Sequence, residues 1–193
     1  MKIWTTRKTQ LAIALLLAAA AGPAAADAVL SLHASNNPAV LGSTVELDVA
    51  IADVTDLYAY QFSLSFDPTL LRATGANVGS FLGAVSFGDT GSVDNTLGKI
   101  SFTFATLLGV RPGVSGGGQL AHFSFNVIGV GSGALNFSDV LLLDPNLMEL
   151  PATLQPMSLQ TLAVPEPEAY MMLGVGLVGL AALRRRQLKQ PAA

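Results

Sequence analysis

The chain has no cysteine, only two histidines and a single tryptophan among its 193 residues. Without cysteine there is no disulfide framework, no thiolate metal site and no cysteine nucleophile. Two histidines, His33 and His122, leave little for a histidine-rich zinc site. Charge is scarce as well. Only 12% of residues are charged, and 10 Lys+Arg stand against 13 Asp+Glu, so no general basic excess attracts nucleic acid. The chain is instead 51% hydrophobic, which excludes intrinsic disorder. Its basic residues are unevenly placed. Lys2, Arg7 and Lys8 lie at one end, and Arg184, Arg185, Arg186 and Lys189 at the other. Between Asp27 and Ala163, Arg72, Lys99 and Arg111 face 11 acidic residues, a net charge of −8.

The first end has the pattern of an export signal. A positive start is followed by Leu11 to Ala21, an uncharged apolar run of 11 residues that is too short for a permanent anchor. Gly22-Pro23 breaks that run, and Ala24 and Ala26 offer the small side chains a signal peptidase accepts. Residues 1–26 are therefore expected to be a signal peptide cleaved after Ala26, with Ala28 as the second position, and the protein to be exported. At the other end, Val164-Pro165-Glu166-Pro167-Glu168 leads into an apolar stretch, 169–183, and then into Arg184-Arg185-Arg186. The prolines set an extended entry. Fifteen apolar residues make a helix of about 22 Å, against a bilayer core ~30 Å thick. Such a helix spans only with snorkelling arginines or local thinning. Three arginines leave the C-terminus on the cytoplasmic side.

This order of Pro-Glu-Pro box, short apolar helix and arginine cluster resembles the PEP-CTERM sorting signal of exported bacterial proteins. The resemblance implies recognition by an exosortase-type membrane protease, with residues 164–193 as the signal and cleavage near Val164, Pro165, Glu166 and Pro167. The protein would then pass from membrane anchoring to the cell surface or extracellular matrix. An ordinary single-pass anchor has the same topology. Gly174 to Gly179 matches a dinucleotide fingerprint in letters, but no βαβ pattern surrounds it.

Residues 27–163 read as one all-β domain. Val45, Leu47, Val49 and Ile51 alternate with polar or small residues, as do Phe62, Leu64 and Phe66, then Ile100, Phe102 and Phe104, then Phe123, Phe125 and Val127. Each run places its large side chains on one face of a strand. Asn36-Asn37-Pro38, Asp67-Pro68, Asp94-Asn95, Arg111-Pro112-Gly113 and Gly131-Ser132-Gly133 separate the runs. One-sided strands pair their apolar faces as two packed sheets, with the phenylalanines expected mostly on the inner faces. Asp67 is expected to cap its turn and Pro68 to preset φ for the reversal.

The segments themselves resemble a family. Val40-Leu41-Gly42-Ser43-Thr44-Val45-Glu46-Leu47 looks like the opening of a cohesin domain, and Tyr60 to Leu71, with its Phe-Asp-Pro turn into Leu-Leu, resembles that family's most recognisable segment. Gly98 to Phe102 and Leu120 to Val127 are similar to its later strands. The resemblance implies a jelly-roll sandwich of about nine strands, non-catalytic, binding dockerin modules, in a superfamily shared with carbohydrate-binding modules. There is one copy and no duplicated Asp/Asn-rich dockerin loop.

Catalytic patterns are thin. Gly113-Val114-Ser115-Gly116-Gly117 has the letters of a nucleophile elbow, but a loop precedes it and a strand comes after. His33 and His122 are read as isolated, each without an acid at ligand spacing. Asp53 and Asp56 offer two oxygens to a structural calcium, without an EF-hand loop. Trp4 lies in the export segment, and Tyr58 and Tyr60 share a face with core positions, so no sugar-stacking platform is evident. The reading is a non-enzymatic, exported interaction module of the cell surface or exopolysaccharide matrix. The alternative is a carbohydrate-binding module for an extracellular polysaccharide. No cofactor is expected.

Overall fold

The computed structural model describes residues 27–164 and 167–187. Ala24 and Ala26 of the expected signal peptide, and Pro165 and Glu166 of the Pro-Glu-Pro box, lie outside the described residues. The described chain forms twelve strands and one helix. The strands are β1 (Ala28–Ala34), β2 (Ala39–Val40), β3 (Thr44–Leu57), β4 (Ala59–Ser65), β5 (Leu71–Val78), β6 (Ser86–Asp89), β7 (Ser92–Asp94), β8 (Lys99–Leu107), β9 (Val114–Val127), β10 (Gly131–Leu143), β11 (Ala152–Gln155) and β12 (Met157–Leu162). The helix, α1, spans Pro167–Gln187.

The strands make two packed sheets. The first has the order β11-β1-β3-β9-β5, and the second β2-β12-β10-β4-β8-β6, with β7 also paired to β8. Most neighbours are antiparallel; β1 with β11, and β12 with β2, are parallel. Nine strands were expected. The surplus is β2, β7 and β11, pieces of two to four residues along the sheets.

Alternation explains the core. Val45, Leu47, Val49 and Ile51 of β3 meet Phe123, Phe125 and Val127 of β9 inside the first sheet. Tyr60, Phe62 and Leu64 of β4, Ile100, Ala105 and Leu107 of β8, and Leu135 and Leu142 of β10 line the second. Phe62 sits at the centre, edge-on to Phe123 and Phe137 with centroids 6.5 and 5.9 Å away. Such T-shaped pairs add to the burial energy of the rings.

One strand departs from its expected facing. Phe102 adopts a left-handed φ of 58°, and the pairing of β8 with β4 slips beside it, between Phe62 and Leu64. A bulge adds one residue, so it reverses the facing of the residues beyond it. Ile100 remains inside, but Thr103 takes the core position, fully buried, while Phe102 is 56% exposed. The expectation that Phe102 and Phe104 point inward is corrected: Phe104 lies opposite Gln61 on the outer face.

Helix α1 is apolar around its circumference, and Met171, Leu173, Val175, Leu177 and Leu180 are all exposed. Among the described residues no helix is long and apolar enough to cross a membrane. Glu168 and Arg184 bracket its apolar centre, so the membrane span expected over 169–183 is met only as a helix.

Candidate functional site

The outer face of the second sheet is built by the two bulges that interrupt it. In β8 the left-handed Phe102 sends Phe104 outward; in β10 Asp139, with φ of 53°, shifts the register between Ser138 and Leu141. Asp tolerates this conformation better than most residues. As a result Phe104, Gln61 and Leu141 lie side by side on three adjacent strands. Ala59, Thr106 and Leu143 complete a shallow depression of about 150 Å³ around them. Phe87 of β6 pairs with Thr106 and puts its ring 6.0 Å from that of Phe104. Phe87 is 57% exposed. The two rings are tilted by 56° and make no flat platform for a pyranose.

A polar cluster borders this patch. Lys99 Nζ lies 3.2 Å from Asp139 Oδ2, and the Ser138 hydroxyl donates to the same oxygen at 3.3 Å. Hydrogen bonds from Ser63 and then Lys99 hold the Asp139 carboxyl below its usual range. Ser63 is buried beneath the bulge, where its Oγ accepts the Phe102 N–H at 3.2 Å.

The first sheet has a different outer face. Glu46 and Asp48 alternate on β3, and the neighbouring strand β9 places His122 opposite Asp48. His122 Nδ1 is 2.6 Å from Asp48 Oδ1, and Nε2 is 3.0 Å from Glu46 Oε2. Only the imidazolium can donate from both nitrogens. The hydrogen bond to Asp48 is the main cause that raises the His122 pKa, with the charges of both acids adding to it. Gln119 donates to Asp48 at 2.7 Å, and Ser124 to Glu46 at 2.5 Å. The reading of His122 as isolated is therefore corrected. Residues i and i+2 of one strand show in sequence that the acids share a face, but nothing local shows which strand lies beside them. His33 faces Asp48 from β1, and its Nε2 contacts the Ser31 hydroxyl at 3.0 Å.

The remaining candidates are occupied in turns. Asp67 Oδ1 accepts the Thr69 N–H at 2.8 Å and the Thr69 hydroxyl at 2.6 Å, while its carbonyl accepts from Leu70 and Leu71. Those side-chain bonds lower the Asp67 pKa. Pro68 packs over Gly98, whose φ is 65° and whose Cβ, if added, would meet the Phe66 carbonyl at 2.2 Å. Asp53 and Asp56 have left-handed φ at successive bulges of β3, and Asp56 Oδ1 accepts the Gly113 N–H at 2.7 Å. Ser115 Oγ accepts the Asp56 N–H at 2.9 Å, a structural contact within a β-ladder rather than a nucleophile elbow. No group of three His, Asp or Glu side chains placed to hold a metal ion occurs among the described residues. Tyr60 is core: its hydroxyl donates to the Leu120 carbonyl, its ring stacks on Phe62, and burial pushes its pKa up. Arg184 is exposed on α1, in the same helix as Arg185 and Arg186.

No curated protein matches the chain. Among solved structures, a type II cohesin domain from the cellulosome of Acetivibrio cellulolyticus is 16% identical with a TM-score of 0.58, covering 69% of this chain and 95% of its own. A non-cellulosomal cohesin from Archaeoglobus fulgidus is 20% identical with a TM-score of 0.56, covering 76% and 98%. The cohesin of a type I cohesin–dockerin complex from Clostridium thermocellum is 13% identical with a TM-score of 0.58, covering 74% and 99%. At these identities the likeness is one of fold. The PEP-CTERM protein-sorting motif matches residues 163–186. The cohesin domain model matches residues 30–152, well over half of the chain and nearly all of the twelve-stranded sandwich, and the protein is thus a member of the cohesin domain family.

Proposed function

We propose that this protein is an exported, non-catalytic docking module, which offers the outer face of its second sheet to a dockerin-type partner at the cell surface or in the exopolysaccharide matrix. The observation that carries the reading is the group of outward phenylalanines, Phe87, Phe102 and Phe104, at positions where strand alternation alone would turn two of them inward. A patch of aromatic rings and Leu141 flanking Gln61, bordered by Ser138 and the Lys99–Asp139 pair, has the largely apolar centre and polar rim of a protein interface. Family membership supports the same reading, as does the Clostridium thermocellum relative, which was solved bound to its dockerin. The sorting motif supports delivery: the tail holds the chain at the membrane until an exosortase-type protease cuts near Pro165 and Pro167.

The test is calorimetric titration of the protein with dockerin modules encoded by the same cell. Phe104→Asp should weaken binding at least about 30-fold, because a carboxylate would be desolvated at the centre of the interface. His122→Gln, on the opposite sheet, should leave the affinity as it was. Equal affinity for Phe104→Asp and the parent would refute this docking face. Binding of a polysaccharide with no dockerin binding would favour the carbohydrate-binding alternative.

A further inference from the structure

The sandwich has two poles, and the chain enters at one and leaves at the other. The exit pole is made by the turn after β2, the β9–β10 connection and the end of β12. These are tied together: Leu41 N–H donates to the Leu162 carbonyl at 2.8 Å, Gly42 N–H to Val127 at 2.9 Å, and Gly131 N–H to Thr161 Oγ1 at 2.8 Å. Segments 36–45, 126–138 and 156–164 contain no charged residue. They do carry exposed apolar side chains: Leu41, Ile128, Val130, Leu162 and Val164, between 37% and 55% exposed. The adjoining turns hold Asp67 and Asp94, both committed to turn hydrogen bonds.

The entry pole is the natural contrast. It too exposes apolar residues, including Val110, Leu147 and Met148. Its loops, however, are acidic, with Asp53, Asp56, Asp144 and Glu149 against Arg111. In a domain of net charge −8, three adjoining segments without a charged residue are a local exception.

We infer that the exit pole is a lipid-facing surface, on which the sandwich rests against the membrane until the tail is cut. This rests on the reading of the tail as a sorting signal that holds the chain at the bilayer. The tether fixes the geometry. Only residues 163–166 separate β12 from α1, so the two ends are at most about 17 Å apart even when extended. The apolar stretch of α1 is shorter than the hydrocarbon core, so its entry end is drawn to the interface and the pole with it. Shallow apolar side chains bury ~5–10 Å into the headgroup boundary, a depth that short turns such as 40–42 and 128–130 can supply. Carboxylates there would meet anionic headgroups and low dielectric; none is present in the three segments.

The experiment uses the full chain with Trp4→Phe, which removes the only tryptophan. Single tryptophans are then introduced by Val130→Trp at the exit pole, Leu147→Trp at the entry pole and Val175→Trp in α1. Each variant is reconstituted into phosphatidylethanolamine–phosphatidylglycerol vesicles, with and without lipids brominated near the top of the acyl chain. Thermal unfolding within about 2 °C of the parent certifies each fold. The expected result is at least about twofold quenching for Val130→Trp and Val175→Trp, and almost none for Leu147→Trp. Quenching of Val175→Trp alone would overturn the lipid-facing pole while leaving the tail reading intact. Quenching of neither would sink the tail reading itself. A blue shift of Val130→Trp that grows with protein concentration, without quenching, would mean that the pole pairs two copies of the chain, and would likewise overturn the inference.

Discussion

Phe62 and Phe102 look alike in sequence, each a phenylalanine within an alternating run, yet the structure gives them opposite environments. Phe62 is fully buried, stacked on Tyr60 at 6.1 Å and edge-on to two further rings. Truncation to alanine removes the ring and leaves a cavity among rigid neighbours, a loss of about 3–5 kcal/mol. Phe102 is 56% exposed and held by its backbone on a bulge. Phe102→Ala removes mostly solvent-facing surface and should cost less than about 1 kcal/mol. Urea unfolding followed by circular dichroism would measure both, with unchanged slope showing that only stability has moved. At about 2–4 °C per kcal/mol for a chain of this size, Phe62→Ala should melt about 10 °C lower, and Phe102→Ala within a few degrees of the parent. Equal losses would mean that Phe102 is core and that the bulge in β8 is wrong.

Further outcomes concern single contacts and the tail. Asp67→Ala removes the acceptor of two hydrogen bonds from Thr69 and should cost up to about 1 kcal/mol, lessened by solvent screening. Because the folded pKa of Asp67 is lowered, that stability is present above the carboxylate's unfolded pKa and fades as pH falls through the folded value; a parent-minus-variant difference that does not shrink as the pH is lowered through the carboxylate range would refute it. His122 behaves in the opposite sense. Its folded pKa is raised by Asp48 and Glu46, so its contribution is complete below the unfolded pKa and is lost as pH rises through the folded one. Melting at pH 5.5 and pH 8.5 should show a small extra loss in the parent that His122→Gln lacks, under about 1 kcal/mol because the groups are half-exposed. In a host with the matching protease, Pro165→Ala with Pro167→Ala should leave the tail uncut and raise the mature mass, whereas serine at Arg184, Arg185 and Arg186 should disturb retention; identical mature mass for parent and proline variant would mark a permanent anchor.

Much of the sandwich was legible because strand alternation reports facing without any knowledge of the partner strand. The runs at 45–51, 62–66 and 123–127 need only period two, and their large residues are buried. Facing failed at Phe102 and Phe104, where a bulge shifts the phase by one and no glycine or proline announces it. The β10 bulge at Asp139 left a trace, since aspartate accepts a left-handed backbone, but it sat within a run too irregular to show a period. The His122 clamp was invisible for a different reason. It joins residues 74 and 76 positions apart in sequence, and the register of β3 with β9 is fixed by core packing and bulges rather than by a local pattern. The outward aromatic patch was hidden by the same phase shift, which turns Phe104 from an expected core residue into a surface one.

The pairing of β12 has a mechanical consequence. This strand is the last of the sandwich, and the tail leaves directly from its end. It is bonded on one side to β10, antiparallel from Gly131 to Leu135, and on the other to β2, in parallel at Ala39 and Val40. Tension applied through the tail runs along the axis of β12, so both ladders are loaded in shear. Their bonds must then give way together rather than open one after another, as they would if the strand were peeled sideways. A domain without any disulfide thus gains its resistance to pulling from the direction in which its final strand is held.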